Sequence, residues 1–271
     1  MPSAPGTNAL WAGSPLYQPR TTWRPVTAVL VTIAVMVLAT ISSGVIAALI
    51  ANYSGVASLA IPADIERAIE AGPFGFLLMS QVVLQLFAVI AIVALAGWFG
   101  NSTRDVLALH PVKGGLRTYA QSFLVVFGVA IAFSVVLIAA SPSGWGRDMR
   151  PFLGMASSDY APLLAFAVVV GAPLSEELIF RGFLLSSLAK TRLGFWGSAV
   201  LATGLWTLLH AQQYSLPGLL AVFVLGLTFA WLLWRTGSLW VPIVCHGLYN
   251  GLVFLFITAI ANGQVTVPGA S

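Results

Sequence analysis

Two adjacent glutamates lie inside a long apolar run of this sequence. Glu176 and Glu177 fall within residues 161–188, and Arg181 follows one helical turn after the second glutamate. An ionisable side chain at the centre of a hydrocarbon layer is costly, so three of them predict a functional site. Glu177 and Arg181 are four residues apart and are predicted to form an ion pair. Adjacent helical residues point about 100° apart, which leaves Glu176 free to face an aqueous cavity.

Two later apolar segments carry histidines at the same helical spacing. Trp206 and His210 are four residues apart, as are His246 and Asn250, so each pair shares a helix face. Together with Glu176, these side chains are of the types that catalyse hydrolysis. Glu176 and His210 are candidates to orient and deprotonate a water, with the carboxylate as general base. His246 and Asn250 are candidates to stabilise the oxyanion of a tetrahedral intermediate.

A divalent metal such as zinc is an alternative way to activate the water. Glu176, His210 and His246 have side chains that can ligate such an ion, and a bound metal lowers the pKa of its water. The glutamate mechanism does not require a metal, and the sequence contains no HExxH pair of the zinc-protease kind. The cofactor is therefore left open.

Three short motifs, in this order, resemble the signature of the CPBP family of intramembrane proteases. They read Glu-Glu-Leu-Ile-Phe-Arg from 176 to 181, Trp-Thr-Leu-Leu-His from 206 to 210, and His-Gly-Leu-Tyr-Asn from 246 to 250. The family patterns are EExxxR, FxxxH and HxxxN, so Trp206 replaces the usual phenylalanine. The family includes the type II CAAX prenyl endopeptidases and the Abi group of bacteriocin-processing or self-immunity proteins. The resemblance covers roughly residues 161–260.

The resemblance implies peptide-bond hydrolysis within the membrane by a glutamate-activated water. The first glutamate of the family and the histidine of its second motif act on the water, which here means Glu176 and His210. The third motif supplies oxyanion stabilisation, here through His246 and Asn250. The supporting residues would be Glu177, Arg181 and, in a packing role, Trp206.

Composition predicts an all-α, polytopic transmembrane helical bundle. Of the 271 residues, 59% are hydrophobic and 7% are charged, against roughly 25% charged residues in a soluble domain. Apolar runs of about 20 residues, long enough to cross a bilayer, recur along the chain. They are continuous, whereas the strands of a membrane barrel alternate. The net charge of +4 gives no reason to expect a nucleic-acid partner, and the single Cys245 excludes an internal disulfide.

About seven spans are predicted, and an eighth is left open. Their bounds are Val26–Ala51, Phe76–Phe99, Tyr119–Ala140, Ala161–Leu188, Gly194–Ala211, Leu216–Trp234 and Ser238–Ile260. The first three contain no ionisable residue. The predicted divisions are a flexible N-terminal tail (1–25), a scaffold of three spans (26–158), a catalytic core (159–262) and a C-terminal tail (263–271). An amphipathic segment at 61–70 is expected to lie on the membrane surface.

Basic residues concentrate at alternate ends of the predicted spans. Cytoplasmic loops are enriched in Lys and Arg, so the N-terminus is predicted to be cytoplasmic, in a bacterial cytoplasmic membrane. Seven spans would place the C-terminus outside, and an eighth would reverse it. The basic residues on the predicted cytoplasmic side are Arg20, Arg24, Arg104, Lys113, Arg117, Lys190, Arg192 and Arg235.

The favoured interpretation is a membrane-embedded endopeptidase whose partners are lipid and a membrane-associated peptide or protein. Three other classes stay open. A proton-coupled transporter also places Glu, Arg and His within the membrane, and a metal-binding sensor would bind its ion without turnover. A catalytically silent scaffold or immunity protein would keep the fold without the chemistry. The substitution Glu176→Gln separates these classes, because it keeps the shape of the side chain and removes the base.

Overall fold

The described part of the chain folds into long helices and contains no strand. The computed structural model describes residue 10 and residues 15–53, 74–100, 102–140, 148–149 and 152–265. The expected all-α class is confirmed. The long helices are α1 (Pro25–Tyr53), α2 (Phe74–Ala96), α3 (Gly115–Ala140), α4 (Ala161–Leu188), α5 (Gly194–Leu209), α6 (Leu216–Thr236) and α7 (Trp240–Ala261).

Six of these helices are long and apolar enough to cross a bilayer, and α5 is the exception. The fifth predicted span, Gly194–Ala211, therefore needs correction, because α5 has 16 residues and ends at Leu209. At 1.5 Å per residue it is about 24 Å long, short of a hydrocarbon core of about 30 Å. His210 is the first residue after its C-terminal end. No eighth helix of spanning length occurs among the described residues.

Helix α4 is the central helix of the bundle. It packs against α1, α2, α5 and α7, and every residue from Glu177 to Leu184 is buried. The outer helices instead expose apolar side chains, such as Leu30 of α1 at 61% and Leu124 of α3 at 66% exposure. Such surfaces suit contact with lipid, since lipid tails are as apolar as leucine. The second glutamate thus lies in the protein interior, away from the lipid-facing rim.

Helix α4 is also irregular along its length. Residues Ala167–Gly171 and Glu177–Leu184 form π-helical turns, which flank an α-helical stretch at Ala172–Glu176. Pro173 in that stretch has no N–H to donate, so it interrupts the regular hydrogen-bond ladder. Single π-helical turns within α-helices are frequent at functional sites.

Amides from two neighbouring helices hydrogen-bond the first π-helical turn of α4. Nε2 of Gln85 on α2 donates to the carbonyl of Ala167 at 3.1 Å, and Nδ2 of Asn250 on α7 donates to that of Val168 at 2.7 Å. Pro173 has no N–H to donate to the carbonyl of Val168, so Asn250 supplies that carbonyl with a donor, while the carbonyl of Ala167 also accepts from the N–H of Ala172. The two side-chain hydrogen bonds fix α4 from two sides, less than three turns before Glu176.

Part of the N-terminal region lies against the ends of the core helices. Trp23 is buried, and Nζ of Lys190 donates to the carbonyls of Thr21 and Trp23 at 2.6 and 3.0 Å. Burial also raises the pKa of Tyr17. This packing was not expected of a tail predicted to be flexible. The segment 61–70, predicted to lie on the membrane surface, falls outside the described residues.

Candidate active site

The two adjacent glutamates of α4 have different surroundings. Glu176 lines a cavity of about 750 Å³, as expected for the residue without a partner on its own helix. Glu177 is fully buried behind it. The described residues that line the cavity come from all seven long helices, from the segment before α4 and from the turn after α5. The cavity is therefore enclosed by nearly the whole bundle.

Trp206 of α5 holds the carboxylate of Glu176. Its Nε1–H donates to Oε2 of Glu176 at 2.7 Å. The guanidinium of Arg181 lies 4.4 Å from the centroid of the indole ring. Trp206 was predicted to have a packing role, and this hydrogen bond was not predicted. The tryptophan in place of phenylalanine in the second motif could have indicated this bond, because an indole adds an N–H donor.

His210 follows directly after α5 and lines the same cavity. Its Nδ1 lies 2.9 Å from the main-chain oxygen of Trp206. A carbonyl oxygen can only accept, so Nδ1 carries the proton and Nε2 of the neutral ring keeps a lone pair. The rings of Trp206 and His210 also contact each other edge to face, with 4.9 Å between their centroids. Trp206 therefore contacts both Glu176, through its indole, and His210, through its main-chain oxygen.

Glu177 is the centre of a buried polar network. Its Oε1 accepts hydrogen bonds from Nη1 of Arg181 and Nδ1 of His246, each at 3.2 Å. The predicted ion pair with Arg181 is present, and both its side chains are 0% exposed. His246 of α7 also contacts the Glu177 carboxylate, and residue spacing along α4 does not predict this contact. The network ties the first motif to the third.

His246 has a fixed ring orientation. It stacks on Phe229 with 4.6 Å between centroids and 22° between planes. Because its Nδ1–H is directed at the Glu177 carboxylate, Nε2 can donate only when the ring is an imidazolium.

Asn250 lines the cavity one helical turn after His246. One hydrogen of its Nδ2 is directed at the carbonyl of Val168. The amide nitrogen has two hydrogens, so the other stays available to a ligand in the cavity. The bond to Val168 thus positions the amide without using up its donors.

Gln85 and Asp148 are two of the polar residues in the cavity wall that were not predicted. Gln85 lies on α2, within the part predicted to be a scaffold. Its spacing of four residues from Gln81, in a largely apolar span, could have indicated a polar face on this helix. Asp148 lies in the segment between α3 and α4. Its Oδ1 accepts from the N–H of Ser215 at 2.9 Å, and its Oδ2 accepts from the Ser215 hydroxyl at 2.7 Å. Burial raises the pKa of the neighbouring Tyr214, which keeps its hydroxyl protonated.

A metal centre does not form from the side chains as they stand. Among the described residues, no group of three or more His, Cys, Asp or Glu could hold a metal ion. Glu176, His210 and His246 instead direct atoms at Trp206 and Glu177. The participation of a divalent metal stays a prediction, and no step below depends on it.

These features define a multi-pass helical membrane protein with a carboxylate and histidine site in its interior. Residues 158–252 match the family described as Type II CAAX prenyl endopeptidase Rce1-like. The resemblance drawn from the three motifs is thereby confirmed.

Two curated relatives have sequences similar to this chain. One, from Bacillus subtilis (strain 168), bears the name "Putative membrane peptidase YdiL" and is 26% identical over 155 residues, which are 57% of this chain and 59% of that protein. The chain thus spans less than two thirds of that relative's length. The other is an "Uncharacterized 24.3 kDa protein" of Escherichia coli, 27% identical over 158 residues, which are 56% of this chain and 71% of that protein. No solved structure matches the chain.

Proposed function

We propose that this chain is an intramembrane endopeptidase that cleaves a membrane-associated peptide or protein with a water activated by Glu176 and His210. The observation that carries the proposal is the convergence of Glu176, His210, His246 and Asn250 on one cavity from three parts of the bundle. The match to the CAAX endopeptidase family supports the same class of reaction.

The water would be held by two acceptors. With Oε2 of Glu176 engaged by the Trp206 indole, Oε1 is the carboxylate oxygen left for the water. With Nδ1 of His210 engaged by the Trp206 carbonyl, Nε2 is the nitrogen left for it. One hydrogen of the water is directed at each acceptor, so a lone pair of the water oxygen can attack the scissile carbonyl carbon. A positioned general base of this kind contributes about 10²- to 10⁴-fold in rate.

The oxyanion would be stabilised from α7. As the water adds, Glu176 takes its proton and the carbonyl oxygen becomes negative. Nε2–H of a protonated His246 and the second hydrogen of Asn250 Nδ2 are the donors available for that charge. Donors that are already oriented when the charge develops are usually the largest single contribution to this type of catalysis.

Collapse of the intermediate completes a balanced hydrolysis. The C–N bond breaks, and the protonated Glu176 returns its proton to the departing amine nitrogen. One product carries the new carboxyl group and the other the new amine, with one water consumed. The carboxylate is regenerated for the next turnover, so Glu176 serves first as base and then as acid.

The cavity walls suit a substrate with an apolar part. Met36 of α1, Leu84 of α2 and Leu137 of α3 line it together with the polar groups of α4 and α7. A prenylated CAAX peptide and an unprenylated membrane peptide are the two candidates. We place the protein in a bacterial cytoplasmic membrane with its N-terminus inside, because Arg and Lys concentrate at that end of the helices.

The test is product analysis after incubation of the purified protein with prenylated and unprenylated membrane peptides. We expect two fragments whose masses sum to that of the substrate plus one water. His210→Phe keeps a ring against Trp206 but removes both nitrogens, and should abolish cleavage. Asp159→Asn, on an exposed residue that does not line the cavity, is the control and should cleave as the wild type does. Equal cleavage by His210→Phe would contradict the proposal.

A further inference from the structure

We propose that Trp206 is a positioning residue that orients both groups acting on the water. Its indole N–H holds the carboxylate of Glu176, and its main-chain carbonyl holds the imidazole of His210. This inference rests on the proposed function. It assigns a specific role to the one position at which the chain departs from the FxxxH pattern.

The indole selects which oxygen of Glu176 is available. The bond from Nε1 to Oε2 measures 2.7 Å, which is short for an N–H donor and typical of an ionised acceptor. Trp206 is only 4% exposed, so the bond is shielded from solvent. Hydrogen bonds in such low-dielectric surroundings are stronger than those in water. A phenylalanine in the same space could not donate this bond.

The indole plane is itself held in place. The Arg181 guanidinium lies 4.4 Å from its ring centroid, a distance suited to a cation–π contact. On α6, the absence of a side chain at Gly226 makes room for both groups. A Cβ there would lie 2.8 Å from Cζ3 of Trp206 and 2.6 Å from Nη2 of Arg181. The N–H is therefore directed by packing on two sides of the ring.

Trp23 supplies a matched control for the removal of one indole N–H. It is also 4% exposed, and its ring packs edge to face on Phe183 with 5.2 Å between centroids. Unlike that of Trp206, its Nε1 is buried without a hydrogen-bond partner among the described residues. Trp206→Phe and Trp23→Phe therefore remove the same atoms, but only the first removes a hydrogen bond.

Steady-state kinetics form the first arm of the test. We expect Trp206→Phe to lower kcat about 10- to 100-fold with KM changed less than threefold, as for loss of a hydrogen bond to a charged group. Trp23→Phe should stay within about twofold of the wild type. A kcat for Trp206→Phe equal to that of Trp23→Phe would overturn the positioning role.

The second arm does not depend on cleavage. The indole ¹H–¹⁵N resonance of Trp206 in detergent micelles is identified by its loss in Trp206→Phe. In Glu176→Gln a neutral amide replaces the carboxylate acceptor, so this resonance should move upfield while that of Trp23 stays in place. A Trp206 resonance that does not move would overturn the inference. If it moves but the wild type cleaves nothing, the contact stands and the proposed function fails.

Discussion

Gly247 lies where the backbones of α7 and α4 meet, directly after His246. A Cβ on this residue would lie 2.7 Å from the carbonyl oxygen of Val169. Gly251, one turn later on the same helix, would place its Cβ no closer than 3.8 Å to a side-chain methyl of Val169. Glycine allows close approach of neighbouring helices, but of these two only Gly247 makes a contact that excludes a side chain.

The pair Gly247→Ala and Gly251→Ala allows the cost of this contact to be worked out. Both substitutions gain about 1 kcal/mol of intrinsic helix propensity, which cancels in the comparison. Gly247→Ala also overpacks the interface, at about 1–3 kcal/mol. The opposing atom is a main-chain oxygen that cannot rotate away. We therefore expect Gly247→Ala to be less stable than Gly251→Ala by about 1–3 kcal/mol.

The assay is reversible unfolding in mixed micelles, with the denaturing detergent varied and both variants measured beside the wild type. Gly247→Ala should also cleave more slowly than Gly251→Ala, because it moves α7 away from α4 and lengthens the bond between His246 and Glu177. Equal unfolding free energies for the two variants would refute the close backbone approach at Gly247.

Two further substitutions test the buried polar groups. Glu177→Gln should lower the unfolding free energy by about 3–5 kcal/mol, because it removes the carboxylate that is directly paired with the fully buried Arg181. Unfolding like that of the wild type would show that this ion pair does not stabilise the fold. Asp148→Ala removes two hydrogen bonds to a carboxylate from Ser215 and should lower the unfolding free energy by about 1.5–3 kcal/mol. An unchanged midpoint in the same micelle titration would show that Asp148 does not hold the start of α6.

Local spacing explains what could be predicted from the sequence. The ion pair between Glu177 and Arg181 follows from a separation of four residues on one helix, and the apolar runs were enough to predict the helical class. The different surroundings of Glu176 and Glu177 follow from the rotation between neighbouring residues of a helix. Each of these features depends on the geometry of a single helix.

Contacts between helices explain what could not be predicted. The bond from Trp206 to Glu176 joins residues 30 positions apart and depends on how α5 packs against α4. The π-helical turns of α4 change its register in a way that apolar periodicity does not reveal. The predicted fifth span continued to Ala211, whereas α5 ends at Leu209 and the chain turns at His210. Such features are set by tertiary packing rather than by local pattern.

The central claim is that Glu176 is the base that activates the water, and Glu176→Gln tests it most directly. The cleavage rate and the unfolding free energy should be measured on the same preparations of wild type and variant. The account predicts a rate at least about 100-fold lower, with an unfolding free energy lower by no more than about 1.5 kcal/mol, because glutamine keeps an acceptor for the Trp206 indole. Cleavage by Glu176→Gln at the wild-type rate would contradict it.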